Sequence, residues 1–261
     1  MLEETMTLIE QKNLAPQIFE MTLYGKLVKE MEVPGQFLHL RVPSAELLLR
    51  RPISLAEIDQ TTETCKLIYR VEGKGTDIFS KMKDGDQIDV MGPLGNGFDI
   101  GNVKAEETAF IIGGGIGAPP MYELSKELIS KGVKVIQLLG FATKNVIFYE
   151  EKFKKLGVTR IATDDGTYGM HGHVGHLIDQ AIEEFGQPDL VYACGSNGLL
   201  KAVDRKFDDH PKAYISMEAR MACAVGACYA CVVHVKDDET GMSYVKVCDD
   251  GPIFETGKLV I

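Results

Sequence analysis

The sequence has no stripe of lysines or arginines, no long apolar run and no spread of paired cysteines, and each absence removes a class of function. With 28 Lys and Arg against 38 Asp and Glu, the formal net charge is −10. No basic cluster is available to neutralise a row of phosphates or anionic headgroups, so neither nucleic acid nor a membrane surface is the expected partner. The longest uncharged apolar stretch, Ala109 to Met121, is interrupted by glycines and prolines. It falls short of the ~18 apolar residues that mark a membrane span. The opening Met1-Leu2-Glu3-Glu4-Thr5 lacks the basic and apolar regions of a signal peptide, and a cytoplasmic location is expected. Six cysteines are too few for a secreted disulfide framework, and four of them crowd between Cys223 and Cys248 while Cys65 and Cys194 stand apart. Crowding of that kind points to a metal.

The chain has 261 residues, 45% hydrophobic and 25% charged, with no internal repeat. That is enough for two compact domains and an appendage. Up to about residue 99 the pattern is of short alternating strands, such as Ile18–Leu23, Gln36–Val42 and Cys65–Val71, separated by turn residues, which predicts an antiparallel β-barrel. From Glu107 to Met217, buried strands at Ala109–Ile112, Val133–Leu139, Arg160–Thr163, Leu190–Ala193 and Ala213–Ser216 alternate with amphipathic helices. This is the rhythm of a doubly wound parallel sheet. The remainder forms a small cysteine-bearing subdomain with short strands near 232–235 and 243–247. The expected domains are therefore 1–101, 102–216 and 217–261.

Four residues separate Cys223 from Cys228, two separate Cys228 from Cys231, and sixteen lie between Cys231 and Cys248. The first three reproduce the plant-type C-x4-C-x2-C spacing of a 2Fe-2S cluster with a distant fourth ligand. One loop can wrap three thiolates around a small cluster while a later strand supplies the fourth. Ala222, Ala224, Gly226, Ala227 and Ala230 keep that loop slim enough for amides to approach the sulfurs. A structural zinc site and a redox pair at Cys228 and Cys231 are the alternatives.

Other motifs invite phosphate. Gly113-Gly114-Gly115-Ile116-Gly117-Ala118-Pro119-Pro120 joins a buried strand to a helix, though without the G-x-G-x-x-G pattern, so it serves either a pyrophosphate or tight packing. Arg50-Arg51-Pro52-Ile53-Ser54 sets cations and a hydroxyl beside a strand, and Gly75-Thr76-Asp77 opens a short helix. Cys194-Gly195-Ser196 ends a strand at the edge where parallel sheets bind ligands, or else Cys194 is a buried apolar thiol. His171, His173 and His176 follow Asp164 and Asp165 on a glycine-rich loop, which reads as a solvated loop in preference to a second metal site. After the second parallel strand, Ala142-Thr143-Lys144-Asn145 offers neither a ribose-binding carboxylate nor an arginine, leaving NAD and NADP undistinguished.

Together, Arg51-Pro52-Ile53-Ser54, Gly92-Pro93-Leu94-Gly95-Asn96-Gly97-Phe98, Gly113 to Pro120, Met217 to Cys223 and Cys248 to Phe254 resemble the ferredoxin-NADP reductase superfamily. More closely, their order is similar to that in electron transfer subunits of dihydroorotate dehydrogenase B. The resemblance implies an FAD bound by Arg51, Pro52, Ile53, Ser54, Ile68, Tyr69, Arg70, Gly75 and Thr76. Ile53 stands where the superfamily usually has a stacking tyrosine, so Tyr69 becomes a candidate cover for the ring. It also implies NAD held by Gly113, Gly114, Gly115, Gly117 and Gly195, with Cys194 and Glu218 assisting hydride transfer. Cys223, Cys228, Cys231 and Cys248 would hold the 2Fe-2S cluster.

A flavin converts between two-electron hydride chemistry and the single electrons of a cluster, so three such stations in one chain are chemically coherent. The resemblance further implies a catalytic partner carrying FMN, in a heterotetramer of two plus two subunits, serving pyrimidine biosynthesis. A related reductase subunit serving ferredoxin, sulfur compounds or a hydrogenase is the alternative, and a non-enzymatic carrier or zinc-stabilised binding module is a reading of another class.

Overall fold

In the computed structural model, which describes residues 2–261, six antiparallel strands close into a barrel. They are β1 (Leu2–Ala15), β2 (Ile18–Tyr24), β3 (Phe37–Leu40), β4 (Arg51–Asp59), β5 (Thr64–Arg70) and β6 (Gln87–Leu94), ordered β1-β2-β5-β4-β3-β6. Strand alternation sends Met6, Leu8, Met21, Leu23, Leu38 and Leu67 into one buried core. Phe79, from the short helix α1 (Lys74–Ser80), plugs that core. β1 is long because it pairs twice, with β6 at its start and β2 along the rest, and this closes the barrel.

β4 is a correction to the sequence reading. Arg51 to Ser54 do not sit beside a strand but begin a nine-residue one. Pro52 obscures it, since proline cannot donate to a ladder and is tolerated only near strand starts and edges. Here it is the second residue, opposite His39.

The second layer system contains β7 (Thr108–Gly114), α2 (Ala118–Ser130), β8 (Lys134–Phe141), α3 (Glu150–Leu156), β9 (Val158–Thr163), β10 (Met170–His171), α4 (Val174–Phe185), β11 (Leu190–Cys194), α5 (Asn197–Lys206) and β12 (Ala213–Ser216). Beyond it, β13 (Val232–His234) and β14 (Tyr244–Lys246) form a hairpin, and β15 (Ile253–Glu255) follows. The sheet order is β10-β9-β8-β7-β11-β12-β15, parallel except for β15. Winding outward from β7 and then back through β11 creates a switch point between these two strands, the place where such sheets bind ligands. β15 belongs to the cysteine-bearing segment yet completes the parallel sheet, so that segment is not an appendage resting on the surface.

Barrel and sheet are joined through buried charge. Glu20 is almost fully buried on β2, and Glu57 on β4 faces it. The Tyr149 hydroxyl, at the start of α3, lies within hydrogen-bond reach of both carboxylates, which share its one proton, while Lys152 and Lys66 pair with them. Burial works to raise the Glu57 pKa, but hydrogen bonds from Lys152 and Tyr149 outweigh it and hold the group below the usual carboxylate range. On the neighbouring helix, Glu123 accepts the Ile58 amide at 3.0 Å and Lys126 at 2.9 Å.

No helix of the described residues is long and apolar enough to cross a membrane. The clamp generates a stability prediction. Tyr149→Phe keeps the ring packed against Tyr122 and Phe148 but removes the one hydroxyl donor that the two carboxylates share. A loss of ~1–3 kcal/mol is expected in urea unfolding of the holoprotein, and an unchanged midpoint would contradict the clamp.

Candidate active site

Three features meet where the barrel, the carboxyl edge of the sheet and the cysteine segment converge. The first is a cleft of about 240 Å³ walled by Phe37, Arg51, Pro52, Ser54, Ile68, Arg70 and Thr76 from the barrel and by Ser216 to Ala219, Met221 and Pro252 from the far side. Arg51 is posed by donating from Nη1 to the Leu49 carbonyl at 2.6 Å. Its guanidinium lies over Gly75, where a Cβ would come within 2.8 Å of Nε, so glycine is what permits the approach. Thr76 is not an N-cap. That position belongs to Gly73, and the Thr76 hydroxyl accepts the amides of Glu72 and Gly73 from inside the first turn.

Tyr69 borders this cleft, but its ring is stacked on Phe19 at 6.0 Å and its hydroxyl donates to Gln11 at 2.9 Å. The ring is committed to the barrel core and is not free to cover a flavin, because strand alternation turns Tyr69 inward and Ile68 outward.

The second feature is a larger cleft of about 850 Å³ at the switch point. Gly114, Gly115 and Ile116 line it from the turn after β7, Gly195 and Ser196 from the end of β11, Gly140 to Ala142 from β8, and Asp164 with His173 to His176 from β9 and α4. Ser196 caps α5 by accepting the Leu199 amide. The glycines divide their work. Gly114 and Gly115 face the cleft, whereas Gly113 and Gly117 are packing residues: a Cβ on Gly117 would meet the Cys194 carbonyl at 2.4 Å, and one on Gly113 the Ala118 Cα at 3.0 Å.

Arg70, Glu72, Ile116 and Glu218 line both clefts, which makes them one continuous groove. Glu218 has its surface open to the groove while protein surrounds it on most sides. Desolvation by that protein, followed by the Glu72 carboxylate, pushes its pKa above the ordinary value, with Arg70 opposing. Cys194 lies beneath the floor and lines neither cleft. Burial, then the Glu218 charge, raises its thiol pKa, so it is a neutral S–H and not a nucleophilic thiolate.

The third feature is the cysteine loop. Cys231 and Cys248 are buried with their sulfurs 3.3 Å apart, while Cys223 and Cys228 are half-exposed and adjacent. Two sulfur pairs match the demand of two irons, and among the described residues no three donors converge on a single point as a lone ion requires. Amides of Val225 and Cys228 donate to Cys223 Sγ at 3.5 and 3.3 Å, and that of Gly226 to Cys248 Sγ at 3.3 Å. Gly226 has φ +73°, and a Cβ there would strike Asp249 Oδ2 at 2.4 Å. Burial opposes ionisation of Cys223, but the amides prevail and bring its pKa down to about 7, whereas burial pushes Cys248 up to about 12. Cys248 thus ionises only with a metal's charge beside it. These residues fit a two-iron cluster.

Met221 lines the first cleft and Cys223 is two residues on, a span of at most ~7 Å of extended chain. Asn96, quoted in the sequence only as part of a motif, anchors the other side. Its Nδ2 donates to the Asp250 and Ile253 carbonyls at 3.2 and 2.9 Å, its Oδ1 accepts the Ile253 amide at 3.1 Å, and its own amide reaches the Gly251 carbonyl at 2.8 Å. Asn96→Ala should therefore loosen the Cys248 side of the loop. Iron content and visible cluster absorbance are expected to fall while flavin content holds; equal loss of both would point to general unfolding.

Residues 218–260 match the family described as the iron-sulfur cluster binding domain of dihydroorotate dehydrogenase B, and residues 6–98 match the oxidoreductase FAD-binding domain. Over 259 residues the chain is 59% identical to the dihydroorotate dehydrogenase B (NAD(+)) electron transfer subunit of Enterococcus faecalis (strain ATCC 700802 / V583), covering 99% of this chain and 98% of that one. Over 260 residues it is 51% identical to the corresponding subunit of Streptococcus thermophilus (strain ATCC BAA-491 / LMD-9), covering 100% and 99%. A solved NADH-dependent reduced ferredoxin-NADP oxidoreductase superposes with TM-score 0.86 at 27% identity, covering 98% of this chain and 90% of that one. The ferredoxin NADP+ reductase from Neisseria gonorrhoeae, at 15% identity and TM-score 0.65 over 80% and 92%, shares the fold.

Proposed function

We propose, from the premise that this chain belongs to the family of dihydroorotate dehydrogenase B electron transfer subunits, a residue-level account of how it carries electrons between a catalytic partner and NAD. The chain is an oxidoreductase subunit that uses FAD and a 2Fe-2S cluster, with NAD as co-substrate. Electrons enter at the cluster, pass to FAD and leave on NAD+. The observation that carries this path is the single strap Ser216–Cys223, which walls both clefts and then becomes the cysteine loop.

Bound FAD supplies the conversion of single electrons into hydride. Arg51 holds the negative end of that cofactor, aided by Gly75, and Pro52, Ile53, Ser54, Ile68, Tyr69, Arg70 and Thr76 shape its bed. Gly114, Gly115 and Gly195 let the dinucleotide approach the sheet edge closely, with Gly113 and Gly117 drawing α2 tight beneath them. Glu218, at the seam, carries a proton more readily than a free glutamate. Cys194 supports the floor as a neutral thiol. Cys223, Cys228, Cys231 and Cys248 ligate the cluster.

The partner is a catalytic subunit carrying FMN, joined as two plus two subunits, in the cytoplasm. Its docking face is the rim beside the half-exposed sulfurs, where Val225, Tyr229, Val232 and Tyr244 are exposed large apolar residues. Tyr229 is the most exposed of them at 62%, braced edge-on by Tyr244 and overlain by Lys246. Segments 1–101, 102–216 and 217–261 divide the labour as FAD, NAD and cluster units. Service to ferredoxin is the competing reading. The whole-chain identity of 59% to a dihydroorotate dehydrogenase subunit outweighs the 27% to a ferredoxin-linked enzyme.

Co-expression with the catalytic partner should give a complex that reduces NAD+ when supplied with dihydroorotate; complex formation without such activity would sink the reading. Within that complex, Cys248→Ala should abolish dihydroorotate-dependent NAD+ reduction and the cluster signal while retaining FAD. Tyr229→Glu should weaken subunit association about tenfold or more by placing a charge in the desolvated rim, as read by sedimentation at fixed cofactor content.

A further inference from the structure

Gly226, in the middle of the cysteine loop, is held from both sides. Its amide donates to Cys248 Sγ at 3.3 Å, and its carbonyl accepts the Lys246 ammonium at 2.6 Å. The Ala227 amide belongs to the same peptide unit as that carbonyl, and it acts on the other half-exposed side of the loop. Burial opposes ionisation of the Cys223 thiol there, and the amides of Val225, Cys228 and Ala227 favour it. Lys246 is thus one hydrogen bond away from a residue whose two flanking amides serve two different sulfurs.

The lysine is fixed in this position. It ends β14, paired with Val232 of β13. Its amide donates to Asp250 Oδ2 at 2.7 Å, and its carbonyl accepts the amides of Asp249 and Asp250 at 3.1 and 2.8 Å. The ammonium lies over the Tyr229 ring, 5.0 Å from the centroid, and no carboxylate of the described residues is within 4.0 Å of it. The acidic group nearest the loop is Asp249, whose Oδ2 would stand 2.4 Å from a Cβ on Gly226. Asp249 is exposed, so solvent screens it, whereas the ammonium bonds the carbonyl directly.

An electron added to a two-iron cluster increases the negative charge on its sulfurs, and hydrogen bonds to those sulfurs together with net charge nearby set the reduction potential. A cation bonded to the carbonyl end of a peptide makes the amide end a stronger donor, because hydrogen bonds in a chain polarise one another. The effect favours the reduced state over the oxidised one.

We propose that Lys246 is a positioning residue that poises the cluster: acting through the Gly226 carbonyl, it orients and polarises the amides that donate to Cys223 and Cys248, and so raises the reduction potential where electrons enter the chain. The proposal rests on reading the four cysteines as the cluster's ligands. A lysine that merely stapled the β13–β14 hairpin to the loop would change how firmly iron is held and leave the potential where it is.

The test is a potentiometric titration of the complete FAD- and cluster-containing complex, followed by the electron paramagnetic resonance of the reduced cluster. Lys246→Gln keeps a donor for the carbonyl and removes the charge; it should lower the one-electron reduction constant about tenfold, a shift of about 59 mV to lower potential, with FAD and iron content retained. Lys246→Arg, which keeps the charge on a different head, should return the constant to within about threefold of wild type. A Lys246→Gln constant within about twofold of wild type, or no recovery in Lys246→Arg, overturns the proposal. Should the glutamine variant lose iron, Lys246→Met, which keeps an apolar stem against Tyr229, repeats the measurement, and loss of iron from both makes Lys246 a structural staple and overturns its assignment. Absence of a reduced two-iron signal from the wild-type complex instead overturns the reading of the loop as the cluster site, and this inference with it.

Discussion

The pairing of β15 with β12 is the constraint on which the rest depends. β12 ends at Ser216, immediately before the strap that walls both clefts, and β15 begins five residues after Cys248. Their antiparallel register, Ser216 against Ile253, brings the two ends of the cysteine segment together at the sheet edge. The Met217 amide extends the ladder to the Pro252 carbonyl, and Asn96 ties the same tail to the barrel. Both clefts and the cysteine loop can share one wall only because the chain leaves the sheet, wraps four thiols and returns to the same edge.

Rigidity around that edge has a second origin in the Glu20, Glu57, Tyr149 and Lys152 contacts between barrel and sheet. Burying carboxylates without partners is costly, so Glu20 and Glu57 of the barrel are met by Tyr149 and Lys152 from α3. A flavin and a nicotinamide exchanging hydride need their reacting atoms held close and aligned. A barrel fixed to the sheet by paired charges, in place of a flexible linker, meets that need.

Much of this was legible in the residues. Cysteine spacing at Cys223, Cys228 and Cys231 announces a cluster because three thiolates on one loop require short, small-residue intervals. Alternation in β2 and β5 and the periodic helices of the central segment follow from burial of one face. The less legible parts are those where one residue serves a distant element. Pro52 hid β4, Tyr69 looked available for stacking until the barrel turned its ring inward, and Gly117 looked like a phosphate ligand although it is the close approach of Cys194 that excludes a side chain there.

The sequence by itself determined the order of the units and the chemistry of the cluster, since spacing and periodicity are local properties of a chain. It also determined which motifs could receive phosphate. Only the tertiary structure decided that the two clefts are one groove and that Glu218 lies at their seam while Cys194 lies below it. The physical reason is that these facts depend on strand order and register, which join residues far apart in sequence and leave no trace in the spacing of either.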